Sequence, residues 1–333
     1  MRNLLMFSAI VASFLLSCNN DEDTNPFQQQ TISMGTNSNQ DVYYSLDQGT
    51  VSTVTRTDWD IEFSTSTQSA TIRINEGAGV QLYCVGDTNQ WDSFVSFDAG
   101  SYSELLNDKT DWSIGAFNQN ASSMINFGWG TYNMVEHNVY ADSIYVIKLS
   151  DGNYKKLFIR ERNGLTGTYF LRWANVDGSD EVNTSFSCAP YVDQVYFIQY
   201  SIVNSEVVEA EPSKDNWDFM FTRYNIVIPA GPGMEMVYPV TGVLSNPDVS
   251  IAKVTGVPVQ SANITDSPSG FSSVADAIGY DWKESDPVTH EISLVDSLSY
   301  FIEALDGKTY QLYFTEYGGL DQGIIDFETR TIK

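Results

Sequence analysis

The chain states one pattern twice. Trp59-Asp60-Ile61-Glu62-Phe63 returns as Trp217-Asp218-Phe219-Met220-Phe221, 158 residues later. Ser143-Ile144-Tyr145-Val146-Ile147-Lys148-Leu149-Ser150-Asp151-Gly152 returns as Leu298-Ser299-Tyr300-Phe301-Ile302-Glu303-Ala304-Leu305-Asp306-Gly307, 155 residues later. Two unrelated landmarks displaced by nearly the same distance indicate duplication of a whole unit. Repeat arrays have periods of roughly 20–50 residues and need neighbouring units to build a core. A period this long is domain-sized. The expectation is two tandem domains, 40–176 and 191–333, joined by a polar linker over 177–190.

Each copy reads as all-β. Val42 to Leu46, Trp59 to Phe63, Ala70 to Ile74 and Tyr145 to Leu149 alternate apolar with polar residues or run β-branched and aromatic. Asp151-Gly152 and Asp306-Gly307 each sit between two such runs and predict hairpins with type I′ turns. Outside the N-terminus only two short helices are expected, around Ser101–Leu106 and Phe271–Ile278.

The first residues read as a targeting segment. Leu4 to Leu16 is an apolar run too short for a membrane span, which needs about 20 residues, and suits a signal peptide over 1–17. Leu15-Leu16-Ser17-Cys18 resembles a bacterial lipoprotein processing site, with Cys18 as the lipid attachment. Residues 18–39 form an acidic, then Gln/Asn/Thr-rich tether that cannot bury enough apolar surface to order itself. An acidic cluster directly after the cysteine resembles the surface-export signal of Bacteroidetes lipoproteins. The implied address is the outer membrane, on the cell surface.

With 17 Lys and Arg against 43 Asp and Glu, the net charge is −26. A surface so negative repels phosphate backbones, which excludes a nucleic-acid partner. Cys84 and Cys188 remain once Cys18 is assigned to lipid. A single bridge between them and two free thiols both stand as readings.

The order of landmarks resembles the HmuY-like family of Bacteroidetes haem-binding lipoproteins. Asn216-Trp217-Asp218-Phe219-Met220-Phe221-Thr222-Arg223-Tyr224-Asn225, then Gly279-Tyr280-Asp281-Trp282-Lys283, the Asp306-Gly307 hairpin, Phe314-Thr315-Glu316-Tyr317 and a closing strand from Gly323 carry it. The first copy keeps the Trp-Asp strand, Ile72-Arg73-Ile74-Asn75, the hairpin and the closing strand. The resemblance implies a haem-capturing binding protein that hands its ligand to an outer-membrane receptor, with axial ligands from cleft-bounding strands and loops.

That family's His ligands do not carry over position by position. The chain has two histidines, His137 and His290, at near-equivalent places before the two Asp-Gly turns. They are the candidate axial ligands, with Met124, Met134, Met234 and Met236 as thioether partners. Trp91, Trp112, Trp129 and Tyr132, an aromatic stretch found only in the first copy, are candidates for stacking on a flat ligand or a sugar. For the Trp-Asp pairs the expected role is scaffold, with Asp bonded to the backbone of a neighbouring turn. No Ser-His-Asp order, His-x-x-x-His pair or Cys-His cluster is present, so an enzyme is not expected. A surface module that keeps the fold, lacks the haem ligands and binds a glycan or peptide is the alternative.

Overall fold

The computed structural model describes residues 26–286, 289 and 291–332. Cys18, the signal peptide, most of the tether and His290 lie outside the described residues. The chain is all-β, with antiparallel pairing throughout its sheets. Among the described residues the one α-helix is a single turn, Gly319–Gln322. Neither expected short helix forms. Ser101 ends a 3-10 turn ahead of the strand Glu104–Leu105, and Ser272 instead bridges to Ile251.

The strands do not divide where the repeat divides. In the first repeat three leading strands, Gln28–Ser33, Gln40–Ser45 and Gly49–Thr55, precede the Trp-Asp strand Ile61–Ser64. In the second, Val182–Ser187, Phe197–Ser201 and Glu206–Val208 precede Phe219–Gly231. Each leading triplet completes the body of the other repeat. Gln28–Ser33 pairs with the last strand of the chain, Ile324–Thr331. Val182–Ser187 pairs with Thr168–Asn175. The Trp-Asp strands are capped in matching register, Phe219 opposite Tyr44 and Ile61 opposite Tyr200.

The two hydrophobic cores follow this exchange. One gathers Ile61, Phe63, Ile72, Tyr145, Leu157, Tyr169 and Trp173 with Ile198, Tyr200 and Ile202. The other gathers Phe219, Phe221, Ile251, Tyr300, Leu312 and Phe327 with Ile32, Met34, Val42 and Tyr44. The first half therefore runs continuously from about Trp59 to Glu211, and the second is built from 26–55 and 216–332. This corrects the expected boundaries. The segment 177–190, read from its polarity as a linker, contains a core-flanking strand separated from Asn175 by six residues.

Both Asp-Gly hairpins form, with a different turn from the one expected. Leu149 N–H donates to Asn153 O at 2.9 Å and Gly152 N–H to Leu149 O at 2.9 Å, and only the glycine takes positive φ, 87°. Ala304, Lys308 and Gly307 (φ 80°) repeat the geometry. A type I turn closed by a left-handed glycine is the three-residue solution, and the glycine carries the bulge.

The Trp-Asp pairs are scaffold. Asp218 accepts backbone N–H bonds from Leu46 at 2.7 Å and Leu305 at 2.9 Å, tying two turns of the second half together. Asp60 accepts from Ile202 at 2.7 Å at the equivalent place. Trp59 and Trp217 are buried.

The exchange makes a specific prediction. A rearranged chain carrying 214–332, a turn copied from 176–181, and 27–55 should fold alone with one cooperative denaturant transition. Residues 191–333 without 26–55 should not. Cooperative folding of 191–333 by itself would contradict the pairing.

Candidate functional site

Three concave features deserve chemical description, and they differ in kind. The first is a narrow cavity of about 60 Å³ between the halves. That is room for a few waters and not for a cofactor. Its walls are charged although buried. Arg73 pairs with Glu62 at 3.2 Å, and Gln199 donates to the same carboxylate at 3.2 Å. Beside the cavity, Arg56 pairs with Asp41 at 2.8 Å, and Thr222 Oγ1 donates to Asp41 at 2.7 Å, which links the leading strands to the second half's body. Glu76 joins the halves directly, accepting from Asn107 N–H at 2.6 Å and Asn225 N–H at 3.1 Å. Glu211 accepts from Tyr196 and Phe197 N–H groups at 3.1 and 2.8 Å.

Burial dominates the acidity of both glutamates. It pushes Glu211 up to about 8 and Glu76 up to about 7, against the backbone donors that favour the charged form. The cavity is a narrow seam whose buried charged groups bond to one another and to backbone across the halves.

The second feature is a slot of about 430 Å³ in the second half, within the size range of small-molecule sites. One wall is the outer part of the long hairpin Phe219–Gly231 and Met234–Ser245, contributing Ile226, Ile228, Tyr238 and Val240. The opposite wall is Tyr280, Lys283, Ile292, Tyr317 and Leu320. The equivalent hairpin of the first half is only Ile61–Ser64 and Ile72–Ile74, too short to wall a slot.

Two cations, Arg223 and Lys283, line this slot together with one carboxylate, Glu284. Neither Arg223 nor Lys283 is in an ion pair among the described residues. Lys283 Nζ sits 4.0 Å from the Trp282 ring centroid and 5.0 Å from that of Tyr317, and donates to Thr241 O at 2.5 Å. Burial brings its amine down to about 7. Burial, then the neighbouring Arg56, lowers Arg223 as well, and its Nε has no partner. Asp281 acts electrostatically on Lys283 and Glu284 shares the slot, so the two cations lie near carboxylates without pairing with one.

The third feature is an open, hydroxyl-rich groove of about 650 Å³ between the Ser64–Thr71 segment, Trp112-Ser113 and the turn before Phe197.

The residues singled out from sequence are dispersed by the fold. Trp129 is 1% exposed, with its indole N–H donated to Ala70 O, and Trp91 is 3% exposed beneath Lys156 and Arg172. Both are core, not stacking faces. Trp112 alone of the four reaches a groove, and Tyr132 spends its hydroxyl on His137 Nδ1 at 2.7 Å. His137 lies in a strand-to-strand turn with φ 60°. Met124, Met134, Met234 and Met236 are exposed, and neither they nor His137 line the slot. Cys84 and Cys188 are free thiols, and burial raises Cys188 to about 12. The single-bridge reading therefore falls. Among the described residues no group of three or more His, Cys, Asp or Glu could hold a metal ion.

Sequence reasoning missed the slot, although Tyr280 and Lys283 lay inside a quoted landmark. Spacing between the repeated landmarks gave no signal, because Trp59 to Asp151 is three residues longer than Trp217 to Asp306 although the long hairpin lies in the second copy.

No protein-family model matches the chain, and no curated protein matches it. Solved structures similar to about half of it include the following two. Apo PinO from Porphyromonas gingivitis is 13% identical, with 46% of this chain and 86% of that one covered and a TM-score of 0.17. The Tannerella forsythia apo HmuY analog is 12% identical, with 49% and 88% covered and a TM-score of 0.18. Likeness at that level assigns neither family nor ligand.

The buried glutamates fix the sign of a pH effect. Their pKa values are raised in the folded state, so the protonated form binds best to the fold. Their contribution is full below the unfolded value near 4.5 and is lost as pH rises through about 7 to 8. Denaturant midpoints should therefore fall between pH 5 and pH 8, and Glu211→Gln should flatten that decline. An unchanged slope in the variant would contradict the assignment.

Proposed function

We propose that this chain is a lipid-anchored surface protein that binds a flat, largely apolar molecule carrying acidic groups, with haem or a related porphyrin the leading ligand. The single observation that carries the reading is the second-half slot, where apolar and tyrosine walls enclose Lys283 and Arg223. An apolar body would lie between the hairpin and Tyr280-Tyr317, and its carboxylates would meet the two cations. When bound, haem would supply an iron requiring axial ligands. Tyr238, Tyr280 and Tyr317 are the described lining residues able to ligate iron. In sequence His290 stands between Ser285 and Ile292, two residues of the lining.

Lys283 gives the reading a pH signature. With its amine near neutrality, an incoming carboxylate draws a proton onto it. Binding should take up protons at pH 7 to 8 and weaken as pH rises to 9.

Titration with haem should shift the Soret band, and metal-free protoporphyrin should gain fluorescence. Lys283→Met keeps the buried stem and removes the charge. It should weaken porphyrin binding about 10–100-fold, as expected for loss of a charge-assisted bond of about 1.5–3 kcal/mol. His290→Ala should alter the haem spectrum while leaving metal-free porphyrin affinity unchanged. Failure of both porphyrins to bind at micromolar concentration would end the reading.

A further inference from the structure

We infer that the open groove between the Ser64–Thr71 segment and the Val192–Phe197 turn is a second binding site, for a neutral oligosaccharide. It differs from the slot in its density of hydroxyl groups. Its floor and rim carry Ser64, Thr65, Ser66, Thr67, Ser69, Thr71 and Ser113, with one carboxylate, Asp193, and one ammonium, Lys214. A sugar hydroxyl donates one hydrogen bond and accepts others, so its complement is a wall offering both roles.

The wall has such capacity free. The side chains of Thr67, Ser113, Asp193 and Lys214 make no hydrogen bond among the described residues. Ser66 Oγ accepts from Gln68 N–H at 3.3 Å and keeps its proton to give.

The aromatic side of the groove is fixed before any ligand arrives. Trp112 donates its indole N–H to Ser245 O at 2.8 Å, and the Arg73 guanidinium lies 4.9 Å from its ring centroid. Tyr196 spends its hydroxyl on Asp248 at 2.7 Å and Asn246 at 3.0 Å. Both polar handles are therefore committed elsewhere, and what each ring offers the groove is apolar surface. Sugars pack their C–H faces on such surfaces, and rings already held cost little ordering entropy on binding.

Charge selects against other occupants. One cation beside one carboxylate does not recruit a phosphate or a polyanion, least of all in a chain of net charge −26. Apolar surface is present too, from Trp112, Val192, Val195 and Pro247, but together with the Ser and Thr hydroxyls, a mixture that suits a sugar better than a porphyrin. This site does not rest on the slot.

The test is calorimetric titration of the full chain with maltohexaose, cellohexaose, xylohexaose, mannohexaose and chitohexaose. At least one should bind with a Kd of about 1 mM or tighter. Asp193→Ala and Thr67→Val change exposed loop side chains without internal partners, and each should weaken that binding about tenfold. Trp112→Phe, which keeps an apolar ring, should weaken it less than Trp112→Ala. Lys283→Met, in the slot, should leave saccharide binding unchanged, so each site can fail separately. Absence of binding by all five sugars, or binding untouched by both Asp193→Ala and Thr67→Val, would overturn the proposal.

Discussion

The hairpin between Thr168–Asn175 and Val182–Ser187 determines how everything else must pair. The second repeat's first strand follows the first repeat's last strand after a six-residue turn, and the two form a ladder at once. That turn uses the same device as the Asp-Gly hairpins, with Gly178 at φ 91° donating to Asn175 O. Once this edge is occupied, the first repeat's own leading strand has no place there and must cover the equivalent edge of the second repeat. Loop-closure entropy favours this arrangement. One very short and one very long loop together cost about 2 kcal/mol less than two loops of roughly 130 residues. Tandem duplication of a domain whose first and last strands are neighbours thus leads to reciprocal exchange without any new contact being invented.

Exchange would be a loose arrangement if nothing locked the borrowed strands in register. The Trp-Asp motif supplies that lock. Asp218 belongs to the second repeat but holds Leu46 from the first, and Asp60 belongs to the first but holds Ile202 from the second. Burial pushes both carboxyls upward in pKa, which their backbone donors oppose. A buried N–H without an acceptor costs about 1–3 kcal/mol, so each bond penalises slippage of the borrowed turn. The charged seam between the halves works in the same direction. Asp41 from a borrowed strand is tied to Arg56, at the crossing, and to Thr222 beyond it.

What was legible in the sequence was whatever is local or repeated. Strand alternation, the two Asp-Gly hairpins and the backbone role of Asp60 and Asp218 all follow from short-range chemistry. The division of the chain was not legible, because repeat boundaries are the same whether the leading strands pair within their own copy or across to the other. The site was harder still. Aromatic density in the first copy pointed to Trp91 and Trp129, but composition cannot distinguish a ring that fills a core from one that faces a ligand. Lys283 was visible only as part of a landmark. Its significance depends on being buried against Trp282 and Tyr317 without an ion pair, and that is a property of the folded surroundings alone.

The slot itself follows from an imbalance in the sheet. Gln40–Ser45 pairs with Phe219–Gly231 only over Phe219 to Phe221. Beyond it, Ile226 to Gly231 and Met234 to Tyr238 pair only with each other. An isolated two-stranded ribbon is marginally stable in water and needs a third layer against its apolar face. In the first half the problem does not arise, because Ile61–Ser64 has a partner along its length. In the second half the ribbon stands over Tyr280, Lys283 and Tyr317 with a gap of about 430 Å³ between them. A molecule that fills that gap would cover the ribbon's inner face, and acidic groups on it would reach two cations that make no ion pair among the described residues. The same occupant thus relieves a packing deficit and an electrostatic one. That coincidence is the physical reason for proposing the slot, rather than the seam between the halves, as a ligand site.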